Sequence, residues 1–499
     1  MSKLIANLRR WSIEQPDAVA LRYQGGTWTW QQLHDRVCRL ARALADRGVV
    51  AGTRVAFLDK NHPAAIELVL AAAWLGAVTV PVNYRLAPAE IAYILDDSGT
   101  AVVIAGERYA DEIEAGDTGV QVIRLGDAYE VLLRQTPPFG DPGIGADCFL
   151  QIYTSGTTGF PKGVELTHRN LEAHTEALGT RIGFTHESVN MAPMPLYHVG
   201  GLAWALIAVY RGTPLVLARD VVPAELVDLI ERFRVTHAFV VPRVLADMLE
   251  VPRLGHRDLS SLRALTYGAA PMPLPLLRRT LDSIPAGFFQ VYGATEISGA
   301  ATALIDEDHQ HPREAGHLSS AGRPLPGVEI AIADPDTGSF LSRGQVGEVL
   351  LRSSQVMRGY WKRPEATAEV LLPGGWLRTG DLGRLDEHGY LFVVDRVKDM
   401  IISGGENIYP AELERVLGEH PGVADVAVVG VPDEKWGETP KAFVVPGAVP
   451  PSCDDLLNYC RTRLASYKLP RSLVFVPELS RNGAGKVLKQ TLRQHRGTG

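Results

Sequence analysis

The feature that most constrains the fold is an alternation of helical and extended apolar runs near the start of the chain. Thr29 reads as an N-cap, and Gln32 three residues on completes a capping box. Leu33, Val37, Leu40, Ala41 and Leu44 follow at helical spacing, and Gly48 closes the helix. Arg54-Val55-Ala56-Phe57-Leu58 reads as a strand, Asn61 and Pro63 open a second helix that runs to Leu75 and stops at Gly76, and residues 78–82 form a buried strand. Alternating strands and helices argue for an α/β fold with a parallel, doubly wound sheet. At 499 residues the chain exceeds one hydrophobic core, so two or three domains are expected.

A second feature points to chemistry. Residues 153–164 read Tyr-Thr-Ser-Gly-Thr-Thr-Gly-Phe-Pro-Lys-Gly-Val, with Thr154, Ser155, Gly156, Thr157, Thr158 and Gly159 before Lys162. Glycines let the backbone approach a ligand, successive free N–H groups make a concave anion site, and Lys162 adds positive charge. Residues 148–153 read as a strand before the loop and 164–167 as a short strand after it, so the loop closes a hairpin. Thr167 and Asn170 then start a helix. Most Gly/Ser/Thr loops are plain solvated turns. A Walker A loop needs its lysine followed by Ser or Thr at the start of a helix, whereas here Pro161 precedes and Gly163 follows the lysine. The order of residues resembles the signature loop of the adenylate-forming superfamily, which includes acyl-CoA synthetases, aryl-CoA ligases, luciferases and peptide-synthetase adenylation domains.

The rest of the chain repeats the resemblance. Gln290-Val291-Tyr292-Gly293-Ala294-Thr295-Glu296 offers an aromatic face, a close backbone, a hydroxyl and a hard oxygen ligand suited to Mg²⁺. The resemblance makes it the adenine and magnesium motif. Residues 264–271 read as a strand ending in small residues, Gly268, Ala269 and Ala270, which suits a flat ring or merely a tight turn. The resemblance places it against the adenine. Asp381, after Thr379-Gly380, is an ordinary turn aspartate by itself and the ribose ligand by resemblance. Asp395 matches the family's hinge, with Arg396 reaching the nucleotide. Lys398 and Ser403-Gly404-Gly405 would lie on the face used when CoA is bound. Lys486, in Asn-Gly-Ala-Gly-Lys, matches a lysine that swings in to meet the carboxylate and the phosphate, although Ser480 and Ala484 stand where the family often has Pro and Thr. Residues 193–201, Pro-Met-Pro-Leu-Tyr-His-Val-Gly-Gly, match a segment that lines the acyl pocket; Val241, Tyr267, Ala294 and Ile297 join His198 as its expected walls. A lone histidine is otherwise more often structural than functional.

These matches imply a large N-terminal domain, residues 1–394, with doubly wound sheets and a small barrel-like part. A mobile α+β C-terminal domain, residues 395–499, would follow, with strands near 426–429 and 442–445 and a helix over 456–464. They imply an ATP- and Mg²⁺-dependent ligase that joins a carboxylic acid to AMP and passes the acyl group to CoA. Positive charge would be needed where carboxylate and α-phosphate meet, with Lys486, Thr295, Glu296 and Lys162 the expected catalytic set. Val240 and Val241 follow Phe239 where amino-acid-activating domains place an aspartate, and Val291 stands where malonyl-type ligases place an arginine. An apolar monocarboxylate therefore fits best, a medium- or long-chain fatty acid first and a hydroxycinnamate or benzoate as the alternative. A luciferase-like oxidase would need oxygen chemistry that no feature demands, and a silent binding module would be expected to lack Glu296 or Lys486.

A net charge of −7 argues against nucleic acid as a partner. Four cysteines without metal spacing read as reduced thiols, and no secretory signal is visible, so a cytoplasmic location is expected. The longest apolar run, 68–82, is too short and too broken to span a membrane. The oligomeric state is open, a homodimer included.

Overall fold

The structure is a computed structural model. It describes all residues except 1, 117–118, 141–146, 155–159, 313–314, 404–405, 434–435, 465, 482–486 and 495–499, and except the side chains of 315, 398, 406, 407, 437 and 467.

The early alternation folds as expected. Thr29 and Gln32 form a reciprocal capping box on helix Trp30–Ala45. Gly48 does not cap that helix but turns the chain beyond it, with φ at 83°. Helix Pro63–Leu75 ends at Gly76 in the left-handed conformation. Its N-cap is His62 rather than Asn61, because the His62 ring accepts from the Ala64 N–H. The Asn61 amide is used elsewhere.

Seven strands form the first sheet, in the order Gly359–Tyr360, Lys162–Thr167, Cys148–Thr154, Val78–Pro81, Arg54–Leu58, Thr100–Ala105, Gln121–Arg124. The last five are parallel, and the first two run antiparallel at one edge. Nine strands form the second. Its centre is four parallel neighbours, Phe288–Ala294, Ala264–Gly268, His237–Val240 and Asn190–Ala192. Two helices, Pro63–Leu75 and Val199–Arg211, are buried on nearly every side, as their all-round apolar sequences require. They share one core with residues of both sheets, among them Phe57, Leu150, Leu217 and Phe239.

A third sheet of five antiparallel strands takes the place of the barrel-like part: Val328–Ala333, Gly347–Ser353, Trp376–Leu385, Leu371–Leu372 and Leu391–Arg396. A fourth, beginning at Ile401, carries Ile401–Ser403, Glu406–Ile408, Val423–Asp433, Gly437–Pro446 and Ser472–Phe475. Helices Pro410–Gly418 and Cys453–Arg461 bury Leu413, Val416, Leu417, Leu456 and Cys460 in its core. The second of these starts earlier than the apolar spacing suggests because Ser452 and Asp455 make a capping box. The chain changes sheet between Arg396 and Ile401. No helix among the described residues is long and apolar enough to cross a membrane.

Burial holds five histidines, His62, His168, His174, His198 and His237, down to about 4. Unfolding frees them to take up protons near pH 6.5, so the stability they lend is present above that pH and is lost as pH falls toward 4. The melting temperature is expected to be level from pH 8 to 7 and to fall steadily below 6.5. His174, which has no charged neighbour, gives the cleanest check: His174→Met should remove up to roughly 3 kcal/mol of that acid-side loss. Scanning calorimetry of both proteins from pH 8 to 4.5 reads the difference.

Candidate active site

Four parallel neighbours of the nine-stranded sheet each deliver an expected site segment at their carboxyl ends. Asn190–Ala192 leads into 193–198, His237–Val240 into Val241, Ala264–Gly268 into Ala269 and Ala270, and Phe288–Ala294 into Thr295 and Glu296. The carboxyl edge of a parallel sheet is where open α/β folds bind ligands, because side chains and loops converge there without blocking a ladder. Gly268 sits where a Cβ would stand 2.3 Å from the Val291 carbonyl oxygen, and at Gly293 it would stand 1.8 Å from that of Gly299, so backbone packing alone demands both glycines. Ala269 is held at φ 65°, a left-handed conformation that costs a non-glycine residue about 1 kcal/mol or more.

Tyr292, Asp381 and Arg396 come together from three strands. The Tyr292 hydroxyl donates to Asp381 Oδ2 at 2.6 Å, and Arg396 Nε lies 2.6 Å from Asp381 Oδ1. Asp381 and Arg396 are opposite one another across the pair Trp376–Leu385 and Leu391–Arg396. The expected Thr-Gly turn before Asp381 is instead an irregularity inside a strand: Gly380 has φ 69°, and its N–H donates to Glu348 Oε1 at 3.1 Å. Burial, then the Asp381 charge, pushes the Tyr292 phenol well up.

Glu296 and Lys162 meet through a residue that the motif reading missed. The Tyr360 hydroxyl donates to Glu296 Oε1 at 2.9 Å, and Lys162 Nζ stands 5.1 Å from the centre of the same ring. Lys162 is the first residue of its strand, paired with Thr154, so both ends of the loop between them are anchored in the ladder. Tyr360 pairs with Val164 on the outer side of that hairpin. A Gly-Tyr pair about 200 residues after the loop carries no local sign of this contact. Behind the loop, the Tyr153 hydroxyl donates to Asp97 Oδ2 at 2.7 Å, and Tyr93 donates to the Pro161 carbonyl at 3.2 Å.

The donor set fits a magnesium nucleotide: a hard carboxylate oriented by a neutral phenol, a lysine beside it, and a second carboxylate held by a phenol and a guanidinium. Ser155, Gly156, Thr157, Thr158, Gly159, Gly404, Gly405 and Lys486 lie outside the described residues, as does the side chain of Lys398. Ser403 ends its strand, half-buried.

The pocket residues divide. His198 stands at the N-terminus of helix Val199–Arg211, beside the Tyr197 ring at 4.4 Å. Its Nε2 and the Tyr197 hydroxyl are buried and find no hydrogen-bond partner among the described residues. Val241 and Ala294 are half-buried at the same edge. Tyr267 is a correction. Its ring is fully buried beneath the helices that cover the far face, and its hydroxyl meets His309 Nε2 at 2.8 Å. Strand alternation explains this, since Leu265 and Tyr267 share the far face while Gly268 ends the strand. Ile297 is also fully buried, in the main core. Asp395 Oδ1 accepts from the Arg396 N–H at 2.7 Å and Oδ2 from the Ala411 N–H at 2.9 Å, so it caps helix Pro410–Gly418. Burial raises this carboxyl, against the pull of Lys489.

Comparison with known proteins agrees with this geometry. The family described as AMP-binding enzyme matches residues 8–361, and the AMP-binding enzyme C-terminal domain matches 412–486. A feruloyl-CoA synthase of Amycolatopsis is 41% identical over 484 residues, covering 97% of this chain and 96% of the relative. The fatty acid–[acyl-carrier-protein] ligase ScoC of Streptomyces coeruleorubidus is 39% identical over 490 residues, covering 96% and 93%. The o-succinylbenzoate CoA synthetase of Bacillus subtilis, solved with the acyl-adenylate OSB-AMP, superposes with a TM-score of 0.89 at 33% identity over 99% of both chains. On these matches the chain belongs to the AMP-binding enzyme family. Within that family it is an AMP-forming acid–thiol ligase.

Tyr360→Phe keeps the ring beside Lys162 and removes only the hydrogen bond to Glu296. A hydrogen bond to a charged group is worth about 1.5–3 kcal/mol, so KM for MgATP is expected to rise at least about tenfold, with KM for the acid unchanged. Steady-state kinetics with each substrate varied in turn checks this.

Proposed function

We propose that the chain is a CoA ligase for an apolar monocarboxylic acid, with a medium- or long-chain fatty acid favoured. The observation that carries the reading is the lining of the expected acid segment. Val241 and Ala294 are apolar, and burial holds His198 neutral by lowering it to about 4. Such a wall repels a second carboxylate, which would be buried without a partner. An aryl acid is the second reading. It rests on the aromatic faces at this end of helix Val199–Arg211, where a Cβ at Gly200 would stand 3.1 Å from the Phe239 ring and Tyr197 lies against His198. Relatives named for ferulate and for fatty acids support each in turn.

The reaction has two halves. A carboxylate oxygen attacks the α-phosphorus of ATP, the bond to the β-phosphate breaks, and pyrophosphate leaves. The CoA sulfur, its proton lost to solvent, then attacks the acyl carbon, and the bond to AMP breaks. Two anions meet in the first half, so charge stabilisation and positioning do the catalytic work without a protein nucleophile. Lys486 would meet carboxylate and phosphate together. Lys162, Thr154 and the loop through Ser155, Gly156, Thr157, Thr158 and Gly159 would hold the outer phosphates, and Thr295 the α-phosphate. The Tyr292 ring and the backbone of Gly268, Ala269, Ala270 and Gly293 would flank the purine, with Asp381 on the ribose and Arg396 beside it. Magnesium, held by Glu296, would offset phosphate charge. A cytoplasmic location, where ATP and CoA are both at hand, is part of the same proposal.

The second half needs a different set of side chains at the same phosphate. A boundary at Asp395, between residues 1–394 and 395–499, lets the small domain turn and bring Lys398, Ser403, Gly404 and Gly405 to the thiol. Asp395→Pro is expected to keep adenylate formation, read by pyrophosphate exchange, and to lose thioester formation; equal loss of both sinks the hinge. The substrate is tested with purified protein, ATP, Mg²⁺, CoA and acids from C6 to C18, with benzoate, ferulate and malonate. AMP and thioester in equal amounts from a fatty acid are expected. Thioester from ferulate or benzoate alone establishes the aryl reading, and AMP without thioester overturns CoA as the acceptor.

A further inference from the structure

Asn61 lies in the turn between strand Arg54–Leu58 and helix Pro63–Leu75, and it is only 5% exposed. It does not cap the helix, since His62 does. Its carboxamide reaches instead into the other sheet's territory, more than 130 residues away. Nδ2 donates to the carbonyls of Met194 at 3.1 Å and Ala218 at 3.0 Å and stands 3.4 Å from that of Pro193. Oδ1 accepts from the Leu196 N–H at 2.9 Å. Both ends of one amide are thus satisfied by backbone that follows two adjacent strands, Asn190–Ala192 and Leu215–Leu217.

Within the segment the His198 N–H also donates to the Pro195 carbonyl at 3.1 Å. Pro193 and Pro195 have no N–H to offer, so residues 193–196 cannot continue a ladder. The segment ends in Tyr197 and His198, whose hydroxyl and Nε2 are buried and find no hydrogen-bond partner among the described residues, and then starts helix Val199–Arg211. An asparagine suits the position chemically, because only a carboxamide presents donors to carbonyls and an acceptor to an N–H from a single short side chain. An aspartate would set an oxygen against oxygens.

We propose that Asn61 is a positioning residue for acid recognition: it fixes the 193–198 segment, and with it the placement of Tyr197 and His198, without touching the acid or the nucleotide. The inference rests on the reading of that segment as the acid-binding wall. It adds a specificity support from the first sheet to a site built on the second.

Asn61→Ala and Asn61→Asp test it in the full-length protein. The expected result is a rise of at least tenfold in KM for the best acid, larger for Asp than for Ala, with KM for MgATP within twofold of the parent. Because the parent is assayed beside them, a parent that activates no acid overturns the functional reading, whereas an active parent with unchanged variants overturns this inference alone. KM values for acid and MgATP that rise together, with a lowered melting temperature, also overturn it, since that is a general loss of structure. Hydrogen exchange gives a readout that needs no substrate: the Leu196 amide should exchange at least tenfold faster in Asn61→Ala while the amides of strand Ala264–Gly268 stay as they were. Unchanged exchange at Leu196 overturns the first step of the argument.

Discussion

The contact on which the site depends is the one made by Asp381. One carboxylate, 6% exposed, receives the Tyr292 hydroxyl from the nine-stranded sheet and the Arg396 guanidinium from the last strand before the chain changes sheet. A buried charge is tolerable only with partners, and here each oxygen has one. The consequence is architectural: the nine-stranded sheet, the antiparallel sheet and the junction to the fourth sheet are referenced to a single atom group. Removing any member would strand a polar group in the interior rather than merely delete a contact.

Around that knot the two sheets do different jobs. The nine-stranded sheet supplies a row of carboxyl ends, so its loops converge on one edge. The seven-stranded sheet supplies the hairpin that carries Lys162 and, through Asn61, a brace for the loop that follows Ala192. Tyr360 closes the arrangement by touching Glu296 with its hydroxyl and facing Lys162 with its ring. Neighbours in the candidate site thus come from far apart in sequence, and the two largely buried helices pack in the core that both sheets share.

Local signals in the sequence are legible because they are local. The capping box at Thr29, the helix start at Thr167, the glycine stop at Gly76 and the hairpin that joins Thr154 to Lys162 depend on residues within a few positions, and the structure contains each of them. Structure departs from local sequence signals where contacts at longer range compete. Asn61 and His62 could both cap a helix, and tertiary contacts gave Asn61 another task. The chain neighbours of Tyr267 point to the pocket, whereas the period of two sends its side chain to the opposite face from Gly268. Tyr360 was invisible because its two partners lie 64 and 198 residues before it. Ser452 and Asp455 form a capping box, so the helix begins at Cys453, ahead of the apolar spacing that starts at Leu456.

The Asp395 carboxylate binds the Ala411 amide at the start of helix Pro410–Gly418 while it also binds the next residue's own N–H. A helix beginning with an unmet amide and an uncompensated dipole is higher in energy than one that is capped. The proposed turn about residues 395–396 would therefore not meet a smooth landscape. It would lift a carboxylate off a helix end and have to seat that end on something else before the motion was again downhill. A junction of that kind would act as a detent, a latch with discrete resting places, rather than a free swivel.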